Sequence, residues 1–177
     1  MEKIISDVKL EFVTGDIASQ TDMQAVVNAA NAQLRIGGGV AGSIHRAAGP
    51  ELEKECRPLA PISPGEAVIT GGHQLPNEYV IHCLGPVYGR DKPEDKLLAA
   101  CYKNSLELAE DDEIESIAFP AISTGAFGYP IEDATKVALD TILEILPELE
   151  EVKTIRFVLY SQNDLEVYKN VFSKMTD

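Results

Sequence analysis

Residues 25–42 contain two segments that decide the fold, AVVNAAN at 25–31 and GGGVAG at 37–42. The first segment has the pattern of a buried strand that ends in polar residues, and a helix is predicted to begin directly after the glycines. Three consecutive glycines cost folding entropy and supply no side-chain packing. They therefore predict positive φ angles or a ligand against the main chain, with the free N–H groups of the helix start facing that ligand.

A second segment of the same kind is AISTGAFGYP at 121–130, which follows one predicted strand and precedes a predicted helix. Two such loops side by side can hold a diphosphate between their backbone amides. Neither loop contains the Lys-Ser/Thr ending of a Walker A motif, so nucleoside triphosphate hydrolysis is not predicted. Gly37, Gly39 and Gly42 also match GxGxxG, but we interpret that match as accidental, because the dinucleotide motif follows its strand directly.

Strand and helix patterns alternate along the rest of the chain. Strands are predicted at Val8–Val13, Ala25–Asn28, Ala67–Thr70, Tyr79–Leu84, Ser116–Pro120 and Thr154–Tyr160. Helices are predicted at Val40–Ala48, Lys96–Ala109, Ile131–Leu146 and Leu165–Lys174, and Gly49-Pro50 is interpreted as the end of the first of them. The alternation predicts an α/β fold, a three-layer α-β-α sandwich with a mixed, mostly parallel sheet of about six strands. Residues 1–177 are expected to form a single domain with its ligand at the carboxyl ends of strands.

Composition narrows the classes of function. The chain has 15 Lys and Arg against 29 Asp and Glu, a net charge of −14, which argues against general nucleic-acid binding. Acidic residues concentrate at 107–115 and 144–151, which we interpret as a solvated face. No apolar run of about 18 residues and no secretion signal is present, so a cytoplasmic protein without a membrane partner is expected. Three scattered cysteines and three scattered histidines predict no disulfide, metal or cofactor site.

The motifs resemble the macrodomain family, as an ordered set rather than singly. They are GDI at 15–17, VVNAAN at 26–31, GGGV at 37–40, AISTG at 121–125 and GYP at 128–130. The resemblance runs from about Val8 to the final helix. It implies a domain that binds ADP-ribose without a cofactor, with ADP-ribosylated proteins or O-acetyl-ADP-ribose as partners.

The resemblance also implies roles for individual residues. Asp16 would accept a hydrogen bond from the adenine amino group, although a turn or helix cap is the alternative. Tyr160 would pack on adenine, with a core position as its alternative. Asn31 would reach the distal ribose as the catalytic residue, and Asn28 would hold the loop through bonds to backbone. The implied ligand-binding set is Asp16, Ile17, Ala30, Asn31, Gly37, Gly38, Gly39, Val40, Ser123, Thr124, Gly125, Ala126, Phe127 and Tyr160. Phe127 is interpreted as either a lid or a core residue.

Two functions follow from the resemblance, with a third left open. The first is a hydrolase that releases mono-ADP-ribose from acidic side chains, or deacetylates O-acetyl-ADP-ribose, by water attack at the distal ribose. The second is a non-catalytic ADP-ribose reader, and the third is an RNA-end phosphoesterase or nucleotide-binding regulator. Ala41 stands where MacroD-type hydrolases carry an aspartate, and GGGVA is closer to viral and several archaeal macrodomains. His45 is expected to pack or face solvent rather than act as a base, and Asp133 to complement a helix dipole.

Overall fold

A computed structural model describes all 177 residues, and its centre is a seven-stranded sheet in the order β1-β2-β7-β6-β3-β5-β4. The strands are β1 (Glu2–Ile5), β2 (Val8–Thr14), β3 (Ala25–Ala29), β4 (Ala67–Gly71), β5 (Tyr79–Cys83), β6 (Ser116–Phe119) and β7 (Thr154–Leu159). The four inner pairings from β2 to β5 are parallel, while β1–β2 and β5–β4 are antiparallel. This arrangement confirms the predicted mixed, mostly parallel sheet.

The sheet has seven strands rather than about six, because β1 was not predicted. β1 is only four residues long, and three of the four are exposed, so it carries no burial pattern that sequence periodicity could detect. It is joined to β2 by a tight turn in which Ser6 and Asp7 have φ angles of 52° and 65°. β1 is therefore a hairpin strand added to the edge of the predicted sheet.

Five helices cover the two faces of the sheet. They are α1 (Gly39–Ala48), α2 (Pro50–Cys56), α3 (Glu94–Asp111), α4 (Ile131–Ile145) and α5 (Gln162–Thr176). α2 was not predicted, because Gly49-Pro50 was interpreted only as the end of a helix; Pro50 instead begins a new one, a position that suits its fixed φ. None of the five helices combines the length and apolar character that crossing a membrane requires.

Alternation along the strands divides the core into two clusters. On β2, Val8, Leu10 and Phe12 belong to a cluster of 30 buried residues that includes side chains of α3, α4 and α5. Val26 and Val80 belong to a cluster of 15 on the opposite face, which includes side chains of α1 and α2. Because successive strand residues point to opposite faces, the period-two pattern produces both clusters at once.

The parallel arrangement brings five strand ends to one edge of the sheet. β2, β7, β6, β3 and β5 are mutually parallel neighbours, so the loops after Thr14, Leu159, Phe119, Ala29 and Cys83 all leave from this edge. Those loops carry the two glycine-containing segments and most other predicted site residues. The topology therefore gathers segments that are far apart in the chain.

Candidate ligand-binding cleft

A cleft of about 380 Å³ lies between the two predicted loops at this edge. We call it the glycine-loop cleft, and its walls come from the end of β3, the start of α1, the loop after β5 and the loop after β6. Its lining residues are Ala29, Ala30, Asn31, Gly37, Gly38, Gly39, Val40, Ala41, Gly85, Ala121, Ile122, Ser123, Gly125, Ala126 and Phe127. The structure thus brings together most residues of the predicted ligand-binding set.

The first wall is backbone presented by the glycine loop. Gly39 has a φ of +54°, as the triple glycine predicts, and α1 begins at this residue. The amide of Gly42 donates to the Gly38 carbonyl at 3.2 Å, so the amides of residues 39–41 precede the helical ladder and have no acceptor within it. These amides and the positive end of the helix dipole are available to an anion in the cleft.

Asn31 shapes the loop as well as lining the cleft. Its Nδ2 donates to the Arg35 carbonyl at 2.8 Å, and its Oδ1 accepts from the Arg35 amide at 3.0 Å. One Nδ2 hydrogen and further acceptor capacity on Oδ1 remain for a ligand. The prediction that Asn28 holds this loop through backbone bonds was wrong: Asn28 is fully buried and bonds to His82. Asn31 makes the backbone bonds instead, because β3 ends before it.

The opposite wall is the loop after β6, whose hydroxyl side chains turn inward. Ser123 Oγ donates to the Pro86 carbonyl and Thr124 Oγ1 to the Ala121 carbonyl, each at 2.9 Å. Thr124 does not line the cleft, in contrast to its place in the predicted set. The amides of residues 125–127 make no hydrogen bond within the protein. This loop therefore also offers backbone amides rather than side chains.

The start of α4 does not reach the cleft, contrary to the expectation that both loops lead into helix termini facing the ligand. The lining of the cleft stops at Phe127, and α4 begins only at Ile131. Turn bonds from the Gly128 amide to Gly125 and from the Tyr129 amide to Ser123 fold the loop back between these points. Only α1 presents its N-terminus to the cleft.

Sequence reasoning missed the third wall, which the loop after β5 provides. Gly85 lines the cleft, and a Cβ built on it would overlap Ser123 Oγ, so only glycine lets the two loops meet there. The Tyr88 amide also donates to the Phe127 carbonyl at 2.9 Å. The sequence did carry a signal for this wall, because Gly85-Pro86 directly follows the predicted strand Tyr79–Leu84. The other lining residues that were not predicted are Ala29, Ala41, Ala121 and Ile122.

The residues assigned to adenine lie outside the lining of the cleft, at the ends of β2 and β7. Asp16 Oδ1 accepts from the Ala18 amide at 2.9 Å, so it caps the 3-10 turn Ile17–Ser19, as its alternative interpretation stated. The second carboxylate oxygen of Asp16 makes no bond within the protein. Tyr160 is 95% exposed, so the core alternative for it was wrong. Ile17 is buried, and only its backbone remains for base contact.

The cleft contains no ionisable side chain, although the protein carries a net charge of −14. An anion in it would meet amide dipoles without facing a carboxylate.

His45 is only 5% exposed, and burial lowers its pKa, which agrees with the packing role expected of it. Phe127 lines the cleft and also packs against the core cluster beneath α1, so it is partly a core residue, and its role as a lid stays a prediction.

Comparisons with known proteins agree with this geometry. The Macro domain family matches residues 27–138. A "Macro domain-containing protein" of Methanosarcina mazei is 48% identical over 94% of this chain and 89% of its own length. "ADP-ribose glycohydrolase MACROD2" of Xenopus laevis is 47% identical over 91% of this chain but only 39% of its own length. These identities are nearly equal, so the subtype suggested by GGGVA stays a prediction.

A solved structure, the Oceanobacillus iheyensis macrodomain with ADP, superposes with a TM-score of 0.94 at 42% sequence identity. The match covers 99% of this chain and 95% of that one, including the seven-stranded sheet and its flanking helices. The fold, the family match and this sequence identity all indicate the same family. The chain therefore belongs to the macrodomain family.

Proposed function

We propose that this chain binds ADP-ribose in the glycine-loop cleft and hydrolyses esters that join mono-ADP-ribose to acidic side chains. Deacetylation of O-acetyl-ADP-ribose belongs to the same proposal. The observation that carries it is a cleft whose two main walls present unpaired backbone amides and no charged side chain. Such a site suits a diphosphate between two ribose groups, because amide dipoles stabilise phosphate charge locally even in an acidic protein.

The order of strand ends supports one orientation for the ligand. Adenine would lie at the β2 and β7 end, between the free carboxylate oxygen of Asp16 and the exposed ring of Tyr160. The diphosphate would occupy the space between Gly37–Val40 and Ser123–Phe127. The distal ribose would then lie at the β3 and β5 end, beside Asn31. We further propose that residues 1–177 act as one macrodomain.

The absence of an ionisable side chain from the cleft favours one class of linkage. With no acid in position, the group that leaves the anomeric carbon must depart without a proton. A glutamate or aspartate carboxylate meets this condition, since its conjugate acid has a pKa of about 4, whereas a serine alkoxide does not. For a glutamate or aspartate ester, water would attack the anomeric carbon, assisted by a phosphate of the substrate and oriented by the Asn31 amide, and the carboxylate would leave. For O-acetyl-ADP-ribose, water would instead attack the acetyl carbonyl; the acyl C–O bond would break, acetate would be released, and a proton of the water would pass to the ribose oxygen.

The relatives support a hydrolase without deciding the substrate. The MACROD2 protein of Xenopus laevis is named as an ADP-ribose glycohydrolase, and the Oceanobacillus iheyensis macrodomain was solved with ADP and, as a mutant, with ADPR. A second candidate function, a non-catalytic reader, is favoured by Ala41, which places a methyl group in the cleft. A reader would bind ADP-ribose tightly and show no turnover.

The test mixes the protein with a substrate mono-ADP-ribosylated on glutamate and follows free ADP-ribose, with serine-linked substrate in parallel. Asn31→Ala is the control variant. Release from glutamate alone, lost in the variant, would support the hydrolase. Calorimetric binding of ADP-ribose without release would favour the reader. If the protein showed no binding of ADP-ribose and no release, both functions would be contradicted.

A further inference from the structure

A partly buried ion network lies on the sheet face opposite α3, α4 and α5, outside the cleft, with Asp22 at its exposed end. Arg156 on β7 is paired in register with Glu11 on β2, and its Nε donates to Glu11 at 2.6 Å. Its two terminal nitrogens donate to the two carboxylate oxygens of Asp22, each at 2.7 Å. The side chain of Arg156 is only 13% exposed and that of Glu11 10%. We call Glu11, Gln20, Asp22 and Arg156 the Arg156 network.

Gln20 connects this network to the residue assigned to adenine. Its Oε1 accepts from Nη1 of Arg156 at 2.9 Å, and its Nε2 donates to the Asp16 carbonyl at 2.8 Å. Gln20 is 8% exposed, so water does not readily replace either bond. Because an arginine nitrogen can only donate, it determines which end of the Gln20 amide faces Asp16. The opposite orientation would place two oxygens against each other.

Other contacts hold the rest of this turn, and one of them also reaches the Asp16 carbonyl. Asn77 is buried and donates to the carbonyls of Gln20 and Met23, each at 2.7 Å. The Ser19 amide donates to the Asp16 carbonyl at 3.0 Å and closes the 3-10 turn. The Gly15 amide donates to the Leu159 carbonyl at 3.1 Å and ties the preceding residue to the end of β7. Arg156, through Gln20, is the side-chain link between the sheet and the backbone of Asp16 itself.

We propose that Arg156 and Gln20 are positioning residues that hold the Asp16 carboxylate in place for selection of adenine. The inference rests on the proposed function, since it assumes that Asp16 accepts from the adenine amino group. Arginine suits this role because its planar fork binds three partners in one geometry, which a lysine ammonium cannot reproduce. Positioning matters here because a hydrogen bond weakens steeply when its angle is lost.

The experiment compares calorimetric affinities for ADP-ribose and for inosine diphosphate ribose, in which hypoxanthine presents a carbonyl in place of the amino group. Wild-type protein should favour ADP-ribose by about ten-fold or more. Gln20→Met removes both bonds of the bridge at similar volume. Gln20→Glu keeps an acceptor for Arg156 but cannot donate to the Asp16 carbonyl. In both variants the preference should fall about three- to ten-fold.

Asp22→Ala is the matched control, because it removes one partner of Arg156 and leaves the Gln20 bridge intact. Its preference for adenine should stay within about two-fold of wild type. A merely structural network would lower melting temperature without changing the preference, so melting is measured for every variant. A wild-type preference in both Gln20 variants would overturn the inference and leave the role of Asp16 intact. Equal wild-type affinity for the two nucleotides would overturn both.

Discussion

Nδ2 of Asn28 lies 3.0 Å from Nδ1 of His82, across the parallel pair β3–β5 in which the two residues are in register. An amide nitrogen can only donate, so Nδ1 accepts and the imidazole proton lies on Nε2, 2.9 Å from Thr70 Oγ1. Burial lowers the pKa of His82 to about 3, and raises the pKa of the adjacent Cys56 to about 11. The chain of hydrogen bonds Asn28–His82–Thr70 is therefore neutral, and it joins β3, β5 and β4. It lies one residue pair below Ala29, which lines the cleft.

The stability of the protein should fall as pH decreases from about 7 to about 5, because the unfolded chain protonates its histidines near pH 6.5 and the folded state does not. His82 and His45 both have lowered folded pKa values, so both contribute in this range. The slope should approach about 1.4 kcal/mol per pH unit from His82 alone, whose folded pKa of about 3 lies well below this range, and His45 should add to it. Urea unfolding at a series of pH values measures it.

His82→Gln supplies the comparison for that slope, since glutamine does not titrate. In the variant, the slope of the unfolding free energy against pH should be smaller by the contribution of one histidine. Restricting the series to values above about pH 5 keeps carboxylate titration out of the result. Parallel curves for wild type and variant would mean that His82 takes up a proton as readily in the folded protein as in the unfolded chain.

Asp16→Ala should weaken ADP-ribose binding about ten-fold or more, because it removes the carboxylate that we propose accepts from the adenine amino group. Stability should change little, since Asp16 is exposed and the one bond that its side chain makes within the protein is the surface cap to Ala18. Asp16→Asn is the control, because it keeps the cap and removes only the charge. Unchanged calorimetric affinity in folded Asp16→Ala would place adenine elsewhere.

Gly38→Glu should abolish binding by putting a carboxylate into the phosphate wall of the cleft. A Cβ at Gly38 meets no atom within 4 Å, and its φ is −85°, so the variant should fold. Gly38→Ala fits the same space and should retain most of the affinity. If calorimetry gave wild-type affinity for Gly38→Glu, the glycine loop would not be part of the site.

Gly85→Ala should destabilise the protein by about 1–3 kcal/mol and weaken ADP-ribose binding, because the added methyl overlaps Ser123 and Ile122. The two loops that meet there would have to separate. Gly125→Ala is the matched comparison, since its Cβ meets nothing within 4 Å. Equal melting temperatures for the two variants would argue against the tight contact between the loops after β5 and β6.

The sequence was sufficient for the central sheet, four of the five helices and both main walls of the cleft. Val26-Val27 beside Asn28 and the run Gly37–Gly39 are local patterns, because burial repeats with the period of each element and glycine marks backbone that a side chain would obstruct. β1 and α2 were missed where that local information fails. β1 is short and exposed, and α2 begins at the proline expected only to mark the end of α1.

Only the tertiary structure decided which side chains meet. Asn28 and His82 are 54 residues apart in the chain, and Gln20 and Arg156 are 136 apart, yet each pair is within hydrogen-bond distance. Such pairings depend on strand order and register, which no residue carries by itself. The same is true of Gly85, whose need for a bare backbone comes from Ser123 on another loop. The sequence alone thus determined the backbone of the two main walls of the cleft, and folding determined the third wall and the side-chain contacts that hold all three.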